Sequence, residues 1–131
     1  MVLPREHRLR GRFVFDRLYQ KGRRFQGTLL VLRTMAAEPG LLRPGLLRPG
    51  NPDGQPPRFA VVVSSKVSKK SVRRNQLRRL LHGQLVALAR IAWSGADQWV
   101  LISLKPGSAD ADDGALLGEC AQLLQKAGLS Q

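Results

Sequence analysis

The chain predicts an α+β fold, a small and mostly antiparallel sheet of about four strands packed with three helices. Three observations predict it. Short apolar runs at 29–35, 58–64 and 99–104 read as strands, and segments at 8–22, 71–93 and 110–127 repeat apolar residues at helical spacing. The two kinds alternate as helix, strand, strand, helix, strand, helix, and 131 residues suit one domain over 1–131.

In the first helical segment, RLRGRFVFDRLYQKG, the apolar residues Val14, Phe15, Leu18 and Tyr19 follow i, i+1, i+4, i+5 spacing, with Gly22 as a stop. The runs LLVLRTM and RFAVVVS follow as strands. Between them, EPGLLRPGLLRPGNPDGQPP at 38–57 holds six prolines and four glycines in twenty residues, with GLLRP twice in tandem. Proline at that density removes backbone donors, so the stretch reads as an insertion between hairpin strands. A further short strand is placed in its flanks. The third strand, WVLISL, ends at Pro106-Gly107.

The longest helix is expected from Ser71 to about Trp93. At 100° per residue, Leu77, Leu80, Leu81, Leu88 and Ile91 fall within about 60° of one line. Arg74, Asn75, Arg78, Arg79 and His82 spread over the flank and far side, so one face is core and the other polycationic. The last helix turns Leu116, Leu117, Leu123 and Leu124 inward. Asp110, Asp112 and Asp113 at its start suit the positive end of the helix dipole. Trp93 and Trp99 are expected to close the core.

Charge narrows the function. Lysine and arginine number 22 against 9 acidic residues, a net charge of +13, and residues 1–90 hold 20 of the cations with 4 acids. An excess so clustered points to a polyanionic partner. Cys120 is the lone cysteine, which rules out an internal disulfide and a cysteine zinc site. His7 and His82 are the only histidines, and no HExxH, P-loop or nucleophile elbow occurs. With no run of 18 apolar residues and no signal-peptide segment in MVLPREHRLRGR, a cytoplasmic protein away from membranes is expected.

The chemistry concentrates in KVSKKSVRRNQLRR, residues 66–79, where seven of fourteen side chains are cationic. Cations at a helix amino terminus oppose its dipole, each unfavourable by ~0.3–1 kcal/mol when exposed. Selection for stability alone would put acids there, as in the last helix. The pattern instead reads as a phosphate-binding helix, in which backbone donors and basic side chains converge on anionic oxygens.

Those residues carry a resemblance. RFAVVVSSKVSKKSVRRNQLRRLL, residues 58–81, resembles the signature region of the bacterial ribonuclease P protein component: a strand, a basic turn, then a helix marked Arg-Asn-Arg. Arg74 and Asn75 match the first two places of that motif, Arg78 and Arg79 its next basic pair, and Lys66 the lysine ending the strand. RLRGRFVFDRLYQKGRRF is similar to the family's opening helix, TLLVLRTM to its first strand and WVLISLKPGSA to its last. Two departures stand out. Gln76 replaces the motif's second arginine, making a charged contact a neutral one, and the 38–57 insertion is longer and richer in proline than expected of the family.

The resemblance implies a ribosomal-protein-S5-domain-2-like fold, with a left-handed β-α-β crossover over 58–104 against the general preference. It implies removal of the 5′ leader from precursor tRNA, with no catalytic residue on this chain. Catalysis and most of the Mg²⁺ belong to the RNA subunit, with one protein per RNA and no obligate protein partner. Lys66, Lys69, Lys70, Arg73, Arg74, Asn75, Arg78 and Arg79 are then expected to bind the catalytic RNA, and Phe15, Tyr19 and Arg33 to line a cleft for the leader. The plain alternative for Phe15 and Tyr19 is core packing. Rival functions are a non-catalytic RNA-binding module such as a ribosomal protein, a DNA-binding protein, and a metal-dependent nuclease built on Asp110, Asp112 and Asp113.

Overall fold

Alternating side chains on the central strands leave apolar groups on both sides of the sheet, so both faces need cover. The computed structural model describes Leu9 and residues 12–36, 58–91 and 98–129. Its elements are α1 (Arg12–Lys21), β1 (Arg23–Gln26), β2 (Leu30–Ala36), β3 (Arg58–Val62), α2 (Ser71–Ile91), β4 (Gln98–Leu104), a 3-10 turn (Ser108–Asp110) and α3 (Asp113–Lys126). The sheet runs β1-β2-β4-β3. β1 pairs with β2 and β2 with β4 antiparallel, while β3 lies parallel to β4, so the crossover between these two passes through α2.

One face carries Leu30, Leu32, Phe59, Val61, Val100 and Ile102 against Leu77, Leu81 and Leu85 of α2 and Leu116, Cys120, Leu123 and Leu124 of α3. On the other, Val14 and Leu18 of α1 pack with Ala60, Trp99 and Leu101. Each fully buried aliphatic side chain contributes ~1.5–3 kcal/mol relative to exposure. Trp99 is buried as expected; Trp93, like the insertion at 38–57, lies outside the described residues.

Three boundaries differ from the sequence reading. The fourth strand of the described sheet is β1, directly after α1, rather than a strand beside the insertion. RRFQ has one apolar residue, Phe25, and owes its strand to pairing with β2, from Arg23 opposite Thr34 to Gln26 opposite Val31. The first helix starts at Arg12, not residue 8; the Leu9 amide donates to the Phe59 carbonyl at 3.0 Å, outside any helix. The last helix is cut in two, because Ala111 and Asp112 are extended (ψ 151° and 149°) between the 3-10 turn and α3. Gly107, at φ 95°, makes the preceding turn in a region that suits glycine.

Candidate RNA interface

The basic segment is built as a turn followed by a helix. Val67 is buried in the core and its amide donates to the Ser64 carbonyl at 3.1 Å, which anchors the turn. The Lys70 amide donates to Ser68 Oγ at 3.3 Å, and α2 begins with the Arg74 amide on the Lys70 carbonyl at 3.1 Å. Lys66, Lys69 and Lys70 stand exposed around this anchor. Along α2, the buried stripe Leu77–Leu81–Leu85 leaves Asn75, Gln76 and Arg79 exposed and Arg73, Arg74 and Arg78 half-exposed. Among the described residues, none of the seven cations of 66–79 is paired with a carboxylate.

Two of the expected RNA contacts also serve the fold. Arg73 donates through Nη2 to the Ala109 carbonyl at 2.8 Å and through Nη1 to Gln76 Oε1 at 3.4 Å, joining α2 to the 3-10 turn. Arg74 donates through Nη1 to the Ser68 carbonyl at 2.8 Å. Arg78 donates to Asn75 Oδ1, so these two polar residues orient each other on the open face. Gln76 therefore takes a hydrogen bond from Arg73 where the motif's arginine would add a charge beside it. A shallow concavity of about 550 Å³ runs along this side, lined by Lys69, Lys70, Val72, Arg73 and Gln76 with Ala109 and Asp110 opposite. Val72, 67% exposed, is an apolar surface within it.

The second group forms on the α1 side of the sheet. Val14 and Leu18 enter the core, whereas Phe15, one step around the helix, is half-buried against it and Tyr19 is 51% exposed. The Arg33 guanidinium carbon lies 4.6 Å from the centre of the Tyr19 ring, a cation–π contact. Thus α1 and β2 bring Phe15, Tyr19 and Arg33 together, with Phe15 serving packing as well. Register adds a residue the sequence reading missed: Arg24 of β1 stands directly opposite Arg33. Like charges at such a position are unfavourable without an anion between them. Alternation outward from the inward-facing Phe25 is the signal that points to it.

Carboxylates are used differently. Glu119 of α3 accepts from the amides of Thr28, Leu29 and Leu30 at 2.9, 2.8 and 2.6 Å, holding the β1–β2 turn to α3. Asp112 stands at the amino-terminal boundary of α3 without a side-chain capping bond, and Asp113 sits in its first turn. Among the described residues, no three His, Cys, Asp or Glu side chains gather as a metal site, and this includes the three aspartates that the nuclease reading needs. No helix among the described residues is long and apolar enough to cross a membrane.

A small α+β protein whose helix face gathers cations without a carboxylate partner among the described residues is of the class suited to a polyanion rather than a small substrate. Comparison with known proteins narrows this. The family model for ribonuclease P matches residues 3–128. The chain is 50% identical to the ribonuclease P protein component of Parasynechococcus marenigrum (strain WH8102), over all of both chains. It is 48% identical to that of Synechococcus sp. (strain RCC307), over 99% of this chain and 98% of the relative. The fold is similar to the Staphylococcus aureus ribonuclease P protein, with a TM-score of 0.74 at 16% identity over 95% and 98% of the two chains. The Thermotoga maritima protein, in complex with 1-(4-fluorophenyl)-2-thiourea, gives 0.69 at 18% identity over 91% and 98%. The chain belongs to the family of ribonuclease P protein components. Its role is that of the protein subunit in tRNA processing, and RNA is its partner.

Proposed function

We propose that the chain binds the catalytic RNA of ribonuclease P through Lys66–Arg79 and the 5′ leader of precursor tRNA through Phe15, Tyr19 and Arg33. The observation that carries this is the run of seven cations without a carboxylate partner among the described residues, three in a turn and four on the helix that follows, whose reverse is sealed into the core. Arginine forks on this face suit phosphate oxygens, while the lysines act as point charges. By neutralising phosphates, the face lowers the repulsion between catalytic RNA and substrate. On the other side of the sheet, an exposed tyrosine beside an arginine suits an unpaired base next to a phosphate.

Hydrolysis of the leader phosphodiester belongs in this reading to the RNA subunit. In the same reading Mg²⁺ is held mainly by the RNA subunit. One protein per RNA, acting in the cytoplasm, completes the proposal.

The test mixes purified protein, a bacterial ribonuclease P RNA and precursor tRNA at low Mg²⁺ and follows leader release. Cleavage by the RNA should rise on adding protein, and protein alone should cleave nothing. RNA binding without stimulation at any salt concentration would favour a non-catalytic RNA-binding module instead.

A further inference from the structure

We propose that Arg74 is a positioning residue, whose bond to the Ser68 carbonyl holds the turn that carries Lys66, Lys69 and Lys70. The inference rests on the reading that this face binds RNA, and it changes what Arg74 contributes there. Three exposed lysines occupy five consecutive residues, 66–70, and none of them has a carboxylate partner among the described residues. Their mutual repulsion favours an open, spread turn. The turn's own restraints are few: Val67 in the core, its amide donating to the Ser64 carbonyl, and the Lys70 amide donating to Ser68 Oγ. Each acts within a few residues of the turn itself.

Arg74 reaches back six residues from the first turn of α2 and donates to a carbonyl in the middle of the lysines, at 2.8 Å. Its base is rigid, because Leu77, the first fully buried leucine of α2, sits three residues on. A charge-assisted bond from a rigid helix to a loose turn fixes where the ammonium groups stand before RNA arrives. Ordering the turn in advance also removes an entropic penalty from binding, as preorganisation does elsewhere. Arg79 offers the contrast, since it is exposed and no hydrogen bond or ion pair ties it to another described residue.

Two measurements separate positioning from contact. In the free protein, Arg74→Ala should speed hydrogen exchange of the Val67 and Lys70 amides at least tenfold, with no such change in Arg79→Ala; unchanged exchange overturns the proposal. With the RNA subunit, dissociation constants are measured for Arg74→Ala, Lys69→Ala and the double variant across a salt series. Positioning predicts that Lys69→Ala loses several-fold less affinity in the Arg74→Ala background than alone. It also predicts that Arg74→Ala flattens the log–log salt slope by more than the value of about 1 expected for one phosphate contact. Multiplicative losses with a slope change of about 1 make Arg74 an ordinary contact and overturn the proposal. If instead Lys66→Ala, Lys69→Ala and Lys70→Ala leave affinity unchanged while amide exchange responds to Arg74→Ala, the turn is held as described and the assignment of this face to RNA is what fails.

Discussion

The Arg33 guanidinium on β2 lies 4.6 Å from the centre of the Tyr19 ring on α1. The contact joins two elements that cover and form one side of the sheet, and it leaves half of the tyrosine surface open. In the proposed reading, a ring held in this way meets a leader base at little further entropic cost, with the arginine beside it for the neighbouring phosphate. Tyr19→Ala should therefore weaken binding of precursor tRNA with a single-stranded leader by about 1–3 kcal/mol. Affinity for the RNA subunit should stay as it is. Comparing precursor with mature tRNA in the assembled holoenzyme checks this, because equal losses for both would remove Tyr19 from the leader. Phe15→Ala is the poorer probe, since Phe15 also packs on the core.

Gln76 is exposed along the same concavity as Lys69 and Lys70, so an added charge there faces the same partner. Gln76→Arg should tighten RNA-subunit binding and steepen the salt slope by up to about 1. The lost 3.4 Å hydrogen bond from Arg73 is too long to offset a phosphate contact. Filter binding over a salt series reads both quantities, and weaker binding would show that position 76 faces away from RNA.

Glu119 and Gly27 are fitted to each other. A Cβ at Gly27 would stand 2.6 Å from Glu119 Cδ, while the carboxylate holds three amides of the adjoining turn. Glu119→Ala should cost about 2–3 kcal/mol by orphaning those donors. Gly27→Ala should cost about 1–3 kcal/mol alone and clearly less in the Glu119→Ala background, where the clash is gone. Urea unfolding of the four proteins tests the coupling; strictly additive losses would contradict it.

Burial, and after it the neighbouring Glu119 charge, push the Cys120 thiol up from 9.0 to about 12. The folded state then keeps a proton that the unfolded chain releases. Stability from this source is complete below about pH 9 and is lost as pH rises towards about 12, at up to ~1.4 kcal/mol per pH unit. Urea midpoints of the native protein and of Cys120→Ala should converge between pH 8.5 and pH 10.5. Lysine titration is common to both and cancels in the difference. Parallel midpoints would show that the thiol is not shielded.

Much of the fold was legible because its signals are local. The leucines at 77 and 81 repeat at one helical turn, and both are fully buried. The strand runs at 29–35, 58–64 and 99–104 fall within two residues of β2, β3 and β4. The site was legible as a composition, seven cations in fourteen residues, but not as an arrangement. β1 was missed because it has one apolar residue and exists through its partner strand. Val86 was missed because it lies opposite Leu77 on an ideal helix, yet it is 3% exposed and belongs to the core cluster that α2 and α3 build against the sheet.

Periodicity and charge are properties of a short stretch of chain, so the helix face, its leucine seam and the demand for a polyanion follow from the amino acids alone. Which arginine turns to a carbonyl and which to solvent depends on atoms that meet only after folding. Arg73 finds Ala109 across 36 residues, and Glu119 finds Thr28 across 91. Such bonds form at separations that local spacing does not encode, because distance along the chain sets neither the distance nor the angle between donor and acceptor. The division of one basic segment into residues that hold and residues that are free to bind was decided there.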